Sequence, residues 1–544
     1  VTHWITIPVI LPAMLATFIV LVLRHQLPLQ RVFSLAGTVL LVIAAAFLFA
    51  RAAAGDIALY QLGHWAAPFG IVLVADRLAT LFVLLTAVLA LFVLLYAIGS
   101  GWDARGRHFH ALFQFQIMGV MGAFLTGDAF NLFVFFEVLL IASYGLMIHS
   151  GGARRFRVGV QYVVFNLLGS TLFLFALGTL YAEMGTLNMA DLAERIGALP
   201  AERTAGIRVA SVLLIMVFAL KAAILPLHFW LPAAYATAPA PVAALFAIMT
   251  KVGAYSIIRF YTLVFPPDLP VTAGLFGTWL LPAALVTVAL GMIGVLAARE
   301  LGRLVAYAVI GSMGMLMASL AVFTPAGISA ALYYAIHSTL ATAALFLLVD
   351  IVRERRGKPG VGLSESPPIA GGALVAGMFF AAAIAMTGLP PLSGFLGKLM
   401  ILEATLSDPR AWWVWAVILA SSLVAVVGFA RAGSAVFWKC HAAPSDSDTV
   451  VNSEEARGAH ERHQPPGRRP ALPAVAVGGL LAMLVALTVG AGPVQRHLAA
   501  TTAQLFDPAP YIATVLETPG RQIPGKEDKT AAKPGASTYS EEAH

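Results

Sequence analysis

The sequence predicts an all-α polytopic membrane protein, and three observations carry that prediction. Hydrophobic residues make up 60% of the 544 positions and charged residues only 11%, against roughly 45–50% and about 25% in soluble domains. From Val1 to about residue 440 the apolar runs are broken only by short loops. Each run is continuous over about 20 residues or more, the length a helix needs to cross a hydrocarbon core of about 30 Å. A water-soluble enzyme is excluded, and so is an outer-membrane barrel, whose strands would alternate apolar and polar residues about ten at a time.

Runs of sufficient length mark about fourteen helices, at 4–24, 31–51, 71–98, 110–127, 129–149, 158–182, 205–228, 237–262, 272–297, 302–323, 327–352, 370–404, 412–438 and 471–492. Sorting the loops alternately puts about eighteen Lys and Arg on one face and about five on the other, so the richer face is expected in the cytoplasm. It carries Arg24, Arg31, Arg105, Arg107, the Arg154-Arg155-Arg157 cluster, Arg299, Arg303, Arg353, Arg355, Arg356 and Lys358. Both ends of the chain are then expected outside. The first apolar run has no basic leader and no small-residue cleavage site, and reads as a retained helix. Residues 441–469 and those after about 493 are rich in Pro, Ser, Gly and charge, and read as disordered connectors.

The net charge of +7 matches the Lys and Arg excess of cytoplasmic loops, and nucleic-acid binding is not expected. The single cysteine, Cys440, allows no intramolecular disulfide, and no Cys/His spacing suggests a metal or iron–sulfur site. No cofactor is implied.

Exceptions to apolarity carry the functional information, because a charged group at the centre of a span costs about 2.5–3.5 kcal/mol. Five such residues stand out: Glu137 in NLFVFFEVLLIASYG, Lys221 in VFALKAAILPLHFWLP, Lys251 in ALFAIMTKVGAYSIIRF, His337 in ALYYAIHSTLATAALF and Lys398 in GLPPLSGFLGKLMIL. Glu137 lies roughly 14 Å along its helix from Asp128, near the midplane, and Lys251 and His337 also fall mid-span. One intramembrane lysine pairs structurally as readily as it serves transport. Three lysines and one glutamate at similar depth cannot all be neutralised among themselves, and a lateral row of this kind suits a proton relay. Asp76, Arg77 and Asp128 near the outer surface fit an access path or surface anchoring, and Arg303 and Asp350 on the other face leave the same choice.

Two spans read as broken. Pro226 follows Lys221, and Gly388, Pro390, Pro391 and Gly394 precede Lys398 in a run of about 35 residues, about 50 Å if straight and too long for one regular crossing. Interrupted helices beside charge mark inverted-repeat transporters, in which unwound backbone lines a hydrated cavity. A plain proline kink is the competing reading.

The segments GDAFNLFVFFEVLLIASYGLM, KAAILPLHFWLPAAYATAPAPVAALFAIMTKVGAY, RELGRLVAYAVIGSMGML and TGLPPLSGFLGKLMILEA resemble, in that order, the proton-pumping antiporter-like subunits shared by respiratory complex I and the Mrp-type (Mnh/Pha) multisubunit cation/proton antiporters. The resemblance covers about residues 70–440, and the wording around Glu137, the length and the ending after a fourteenth helix are most similar to the D-type subunits of Mrp antiporters. It implies two inverted five-helix repeats, helices 4–8 and 9–13, giving helices 1–3 over 1–109, repeats over 110–270 and 271–440, a cytoplasmic loop at 441–469, a last helix at 470–492 and a polar tail at 493–544. It further implies that Glu137 pairs with Lys221, that Lys251 and His337 continue the relay, and that Lys398 stands near the outward exit. The implied function is proton translocation within a Na⁺(K⁺)/H⁺ antiporter of the bacterial cell membrane, with the A, B, C, E, F and G subunits of the Mrp antiporter as partners and no enzymatic step.

Two rivals remain at this level. A complex I antiporter-like subunit would couple the same row to quinone chemistry elsewhere, although the chain lacks the long lateral helix of the largest such subunit and carries Lys398 where another carries glutamate. A catalytically passive scaffold of a hydrogenase-like membrane complex is the second.

Overall fold

The computed structural model describes residues 3–199, 205–357, 360–364, 369, 371–439 and 471–520. The expectations for Lys358, Cys440 and the 441–469 loop lie outside these residues. After a short 3₁₀ turn come α1 (Ile7–Leu21) and α2 (Leu27–Ala53), then an antiparallel hairpin of β1 (Ala58–Gln61) and β2 (Val72–Ala75). The chain continues through α3 (Arg77–Ser100), α4 (Phe109–Leu125), α5 (Ala129–Met147), α6 (Ala153–Met184), α7 (Met189–Gly197), α8 (Ala205–Lys221), α9 (Trp230–Thr237) and α10 (Ala240–Arg259). There follow α11 (Leu275–Ala297), α12 (Leu301–Leu320), α13 (Pro325–Arg356), α14 (Gly372–Thr387), α15 (Ser393–Ala404), α16 (Ala411–Gly433), α17 (Leu472–Val489), α18 (Ala491–Phe506) and α19 (Ala509–Leu516).

Eleven helical stretches among the described residues are long and apolar enough to cross a membrane. The other three expected crossings correspond to α4, which is 17 residues long, and to two interrupted pairs, α8 with α9 and α14 with α15. Two local expectations change. The run beginning at residue 71 opens as strand β2, because the Asp76 carboxylate accepts the Ala79 N–H at 2.8 Å and starts the helix only at Arg77. Beyond residue 493 the chain is not at once an unstructured tail: α18 and α19 pack on the bundle, burying Leu498, Leu505, Tyr511 and Val515.

Burial sorts the helices into an inner and an outer set. α10 is buried along its whole length and α12 and α13 nearly so, whereas α1, α2, α6, α16 and α17 keep a lipid-facing side. Inner helices apolar all round need close neighbours, and small residues supply the approach: a Cβ added at Gly291 of α11 would sit 2.4 Å from the Gly311 backbone nitrogen of α12.

Contacts between loops define two faces. On the arginine-rich one, Arg31 pairs with Asp103 at 2.6 Å, Arg105 with Glu354 at 3.1 Å and Arg154 with Glu300 at 3.3 Å, while Arg155 donates to the Thr237 carbonyl at 3.1 Å. On the opposite face Asp76 pairs with Arg259 at the end of α10, at 2.6 Å and almost without solvent contact. Removing one member of such a pair strands the other, at a cost of about 3–5 kcal/mol. Asp76→Asn and Arg259→Leu are each expected to lower the unfolding temperature of the detergent-purified chain clearly, while Arg51→Gln, at an exposed pair with Asp56, leaves it unchanged.

Candidate functional site

Five ionisable side chains expected at mid-span are carried by five different helices, and the helices bearing them and their partners pack in the order α5, α6, α8, α10, α13, α15, α16. At one end is Glu137, nine residues beyond Asp128. The Asp128 carboxylate caps α5 by accepting the Asn131 N–H at 2.7 Å, and burial pushes its own carboxyl up to about 6. Glu137 is only half-buried, and the Ser170 hydroxyl of α6 donates to its Oε1.

One turn back along α6, Asn166 takes up Lys221. The Lys221 ammonium donates to the Asn166 side-chain Oδ1 at 3.2 Å and to its backbone carbonyl at 3.4 Å, and lies 5.9 Å from the centre of the Phe136 ring. No ion pair joins Glu137 and Lys221 directly among the described residues: each is held by a residue of α6, Ser170 and Asn166. Lys221 is the last residue of α8, and the chain then unwinds until α9 begins at Trp230.

Lys251 follows on α10, fully buried, with an ammonium that makes no hydrogen bond among the described residues. α10 nests into the break after Lys221, since a Cβ on Gly253 would meet the Ala222 nitrogen and the Phe218 carbonyl at 2.8 Å. Any side chain at residue 253 would push the Lys251 helix away from the Lys221 segment.

His337 on α13, also fully buried, shares a 2.9 Å hydrogen bond between Nδ1 and the Ser393 hydroxyl at the start of α15, while its Nε2 has no partner among the described residues. Its helix packs on both α10, which carries Lys251, and α15, which carries Lys398. Lys398 closes the row: its ammonium donates to the Thr387 carbonyl, the last residue of α14, and to the Ser422 hydroxyl of α16 at 2.8 Å. Gly388 makes room for this arm. Its φ of +76° favours glycine, and a Cβ there would lie 2.6 Å from Lys398 Cδ. Lys221 ends the half-helix before its break, whereas Lys398 sits within the half-helix after its break and reaches back. The Lys398 ammonium thereby reaches the edge of its break at Thr387, whereas the Lys221 ammonium turns to Asn166 on the unbroken helix α6.

Of the residues with open roles, Asp76, Asp128 and Asp350 make structural contacts. Asp76 caps α3 and holds Arg259, and Asp128 caps α5. Asp350 accepts from Trp102 Nε1 at 2.6 Å and from the Tyr96 hydroxyl at 3.0 Å. Arg303 is exposed and makes no hydrogen bond among the described residues. No group of three or more His, Cys, Asp or Glu among the described residues could hold a metal ion. Sequence reasoning missed Ser170, Asn166, Ser393 and Ser422 as partners; the available signal was a polar residue facing a charged one from a neighbouring span, and pairing across helices is not written in one helix.

The model of the family described as NADH:quinone oxidoreductase/Mrp antiporter, TM, matches residues 126–425. A probable K⁺/H⁺ antiporter D subunit of Rhizobium meliloti (strain 1021) is 36% identical over 95% of this chain and 98% of its own length. The Na⁺/H⁺ antiporter D subunit of Bacillus subtilis (strain 168) is 40% identical over 80% of this chain and 87% of its own. Among solved structures, a chain of the Mrp complex from Dietzia sp. DQ12-45-1b superimposes with a TM-score of 0.82 at 27% identity, covering 95% of this chain and all of that one.

Proposed function

This chain belongs to the NADH:quinone oxidoreductase/Mrp antiporter membrane-subunit family, and from that premise we propose that it carries protons along the row Glu137, Lys221, Lys251, His337 and Lys398. It is a proton-translocating subunit of a multisubunit cation/proton antiporter, a transporter and not an enzyme. The complex I alternative has less support, since the curated relatives that cover most of the chain are D-type antiporter subunits.

The observation that carries the relay is one lateral path across seven packed helices, ending in a lysine beside a helix break at its far end and beginning with a carboxylate and a lysine beside another. Buried polar atoms without partners are costly, so the free Lys251 ammonium and His337 Nε2 call for water, which would link the fixed stations at Asn166 and Ser393. The two sets α4–α10 and α11–α16 serve as the inverted repeats, each with one interrupted helix. When the Glu137 charge is screened or moved, the field at Lys221 changes, and the disturbance passes to Lys251, His337 and Lys398 by the same coupling. Only N–H and O–H bonds are made and broken. The counter-ion is a monovalent cation, sodium or potassium.

Glu137 also supports a neighbouring subunit. It shares one exposed side of α5 with Phe130, Val134 and Ile141, and a carboxylate half-open to hydrocarbon costs about 2.5–3.5 kcal/mol. In the assembly that side is covered by protein, in keeping with the A, B, C, E, F and G subunits as partners. The deciding experiment is cation-specific antiport in vesicles carrying the whole complex with and without a Glu137 substitution.

The arginine-rich face lies in the cytoplasm of the bacterial cell, with both chain ends outside. In a Cys440→Ser background the thiol of Arg154→Cys should react with an impermeant reagent only from the cytoplasmic side, in inverted but not right-side-out vesicles. Reaction from the outside would reverse the orientation.

A further inference from the structure

Away from the charged row, a cavity of about 460 Å³ opens between α2, α3, α13, α17 and α18. Leu81 and Leu85 of α3, Ile336 and Leu340 of α13, Phe49 of α2 and Leu487 of α17 line it. One polar side chain joins this lining: His497 of α18, whose ring lies 4.5 Å from that of Phe49. Its Nε2 is buried and makes no hydrogen bond among the described residues. One turn before Leu81 stands Arg77, on the face opposite the arginine-rich one. Its guanidinium donates to the Ala53 carbonyl at the end of α2, at 2.7 Å, the only hydrogen bond its side chain makes among the described residues, and its backbone N–H donates to the Gln504 side-chain oxygen of α18 at 3.1 Å, two turns beyond His497. Four of its five N–H donors remain for another acceptor.

We propose that this groove is a phospholipid site, with one acyl chain lying along Leu81, Leu85 and Leu340 and the phosphate held by the Arg77 guanidinium beside His497. The lining is apolar apart from His497, and the cation Arg77 stands one turn before Leu81 at the start of α3; an apolar depth with a cation beyond its end is the polarity of a lipid from tail to headgroup. Arginine is well suited to phosphate oxygens. A partner helix is a poor occupant, because a cylinder about 10 Å across fills such a volume with roughly one turn. A soluble anion has no use for the apolar depth. Ile336 and Leu340 flank His337 on α13, so a chain seated there packs the helix that carries the relay histidine and keeps stray water from its outer side.

The test uses the purified whole complex in detergent mixed with phosphatidylglycerol that bears a photoreactive group near the end of one acyl chain, followed by mapping of the labelled peptides. Label is expected at residues 81–85 and 336–340. It should fall roughly tenfold, the equivalent of about 1.4 kcal/mol, both for Leu85→Trp, which fills the groove, and for the double variant Arg77→Gln with His497→Gln, which leaves the apolar lining intact. A diacylglycerol with the same photoreactive chain should label roughly tenfold less. Label confined to the outer surfaces of α6 and α16 would overturn the site, equal labelling by the diacylglycerol would overturn the phosphate contact, and a crosslink from residue 85 to another subunit would assign the groove to protein.

Discussion

Vesicles carrying the complex with Glu137→Gln are expected to show cation/proton exchange no greater than vesicles without the complex, while partner subunits still co-purify at the normal ratio. The substitution is nearly isosteric, and the glutamine amide oxygen can still accept from the Ser170 hydroxyl that now holds Oε1, so the packing of α5 on α6 survives. What disappears is the one ionisable carboxyl of the row. Lys221→Ala should have the same effect from the other side, because it removes the cation that Asn166 positions at 3.2 Å. Since no direct ion pair joins the two groups among the described residues, Glu137→Gln strands no buried charge and Lys221→Ala strands only the neutral Asn166 oxygen, so assembly should be less sensitive than with a direct buried ion pair. Near-normal exchange by a fully assembled Glu137→Gln complex would sink the relay assignment.

The second large effect is expected at Lys398. A terminal proton carrier must lose and regain a proton in each cycle, so Lys398→Ala should stop exchange. Lys398→Glu keeps a titratable group at the same depth and should retain part of it, because a protonated carboxyl can donate to the Thr387 carbonyl as the ammonium now does. Lys398→Arg should fail although it keeps the positive charge. Its guanidinium stays protonated at every relevant pH. Exchange measured across pH settles the role: if arginine works as well as lysine, Lys398 is a fixed structural charge and the relay ends elsewhere.

Much of this protein was legible in its sequence, for a reason specific to its solvent. In hydrocarbon every backbone polar group must be satisfied within the segment, so each crossing declares itself as a long apolar run, and the expected spans fall on helix except at their edges and breaks. The same penalty makes a charged residue in a span conspicuous, which is how Glu137, Lys221, Lys251, His337 and Lys398 were found one helix at a time. The breaks near Pro226 and Gly388 were equally visible, because proline removes a donor and glycine admits a positive φ.

Tertiary structure alone decided what each charge touches. The partners are far apart in the chain, Ser170 being 33 residues from Glu137, Asn166 55 from Lys221 and Ser393 56 from His337, and a hydroxyl draws no attention in a span when it can bond its own helix, as Ser422 does to the Ile418 carbonyl at 2.7 Å. The pairing of Asp76 with Arg259, 183 residues away, the strand before α3, and the folding of α18 and α19 over the bundle were hidden for the same reason. Which side chains meet depends on how helices are rotated and packed against one another, and that is fixed by the fit of small and large side chains at their contacts. Sequence therefore set the inventory of intramembrane charges and their depths, because the bilayer penalises each residue singly; packing set their order and the attachment of both Glu137 and Lys221 to α6, because contact between helices belongs to the pair and to neither sequence by itself.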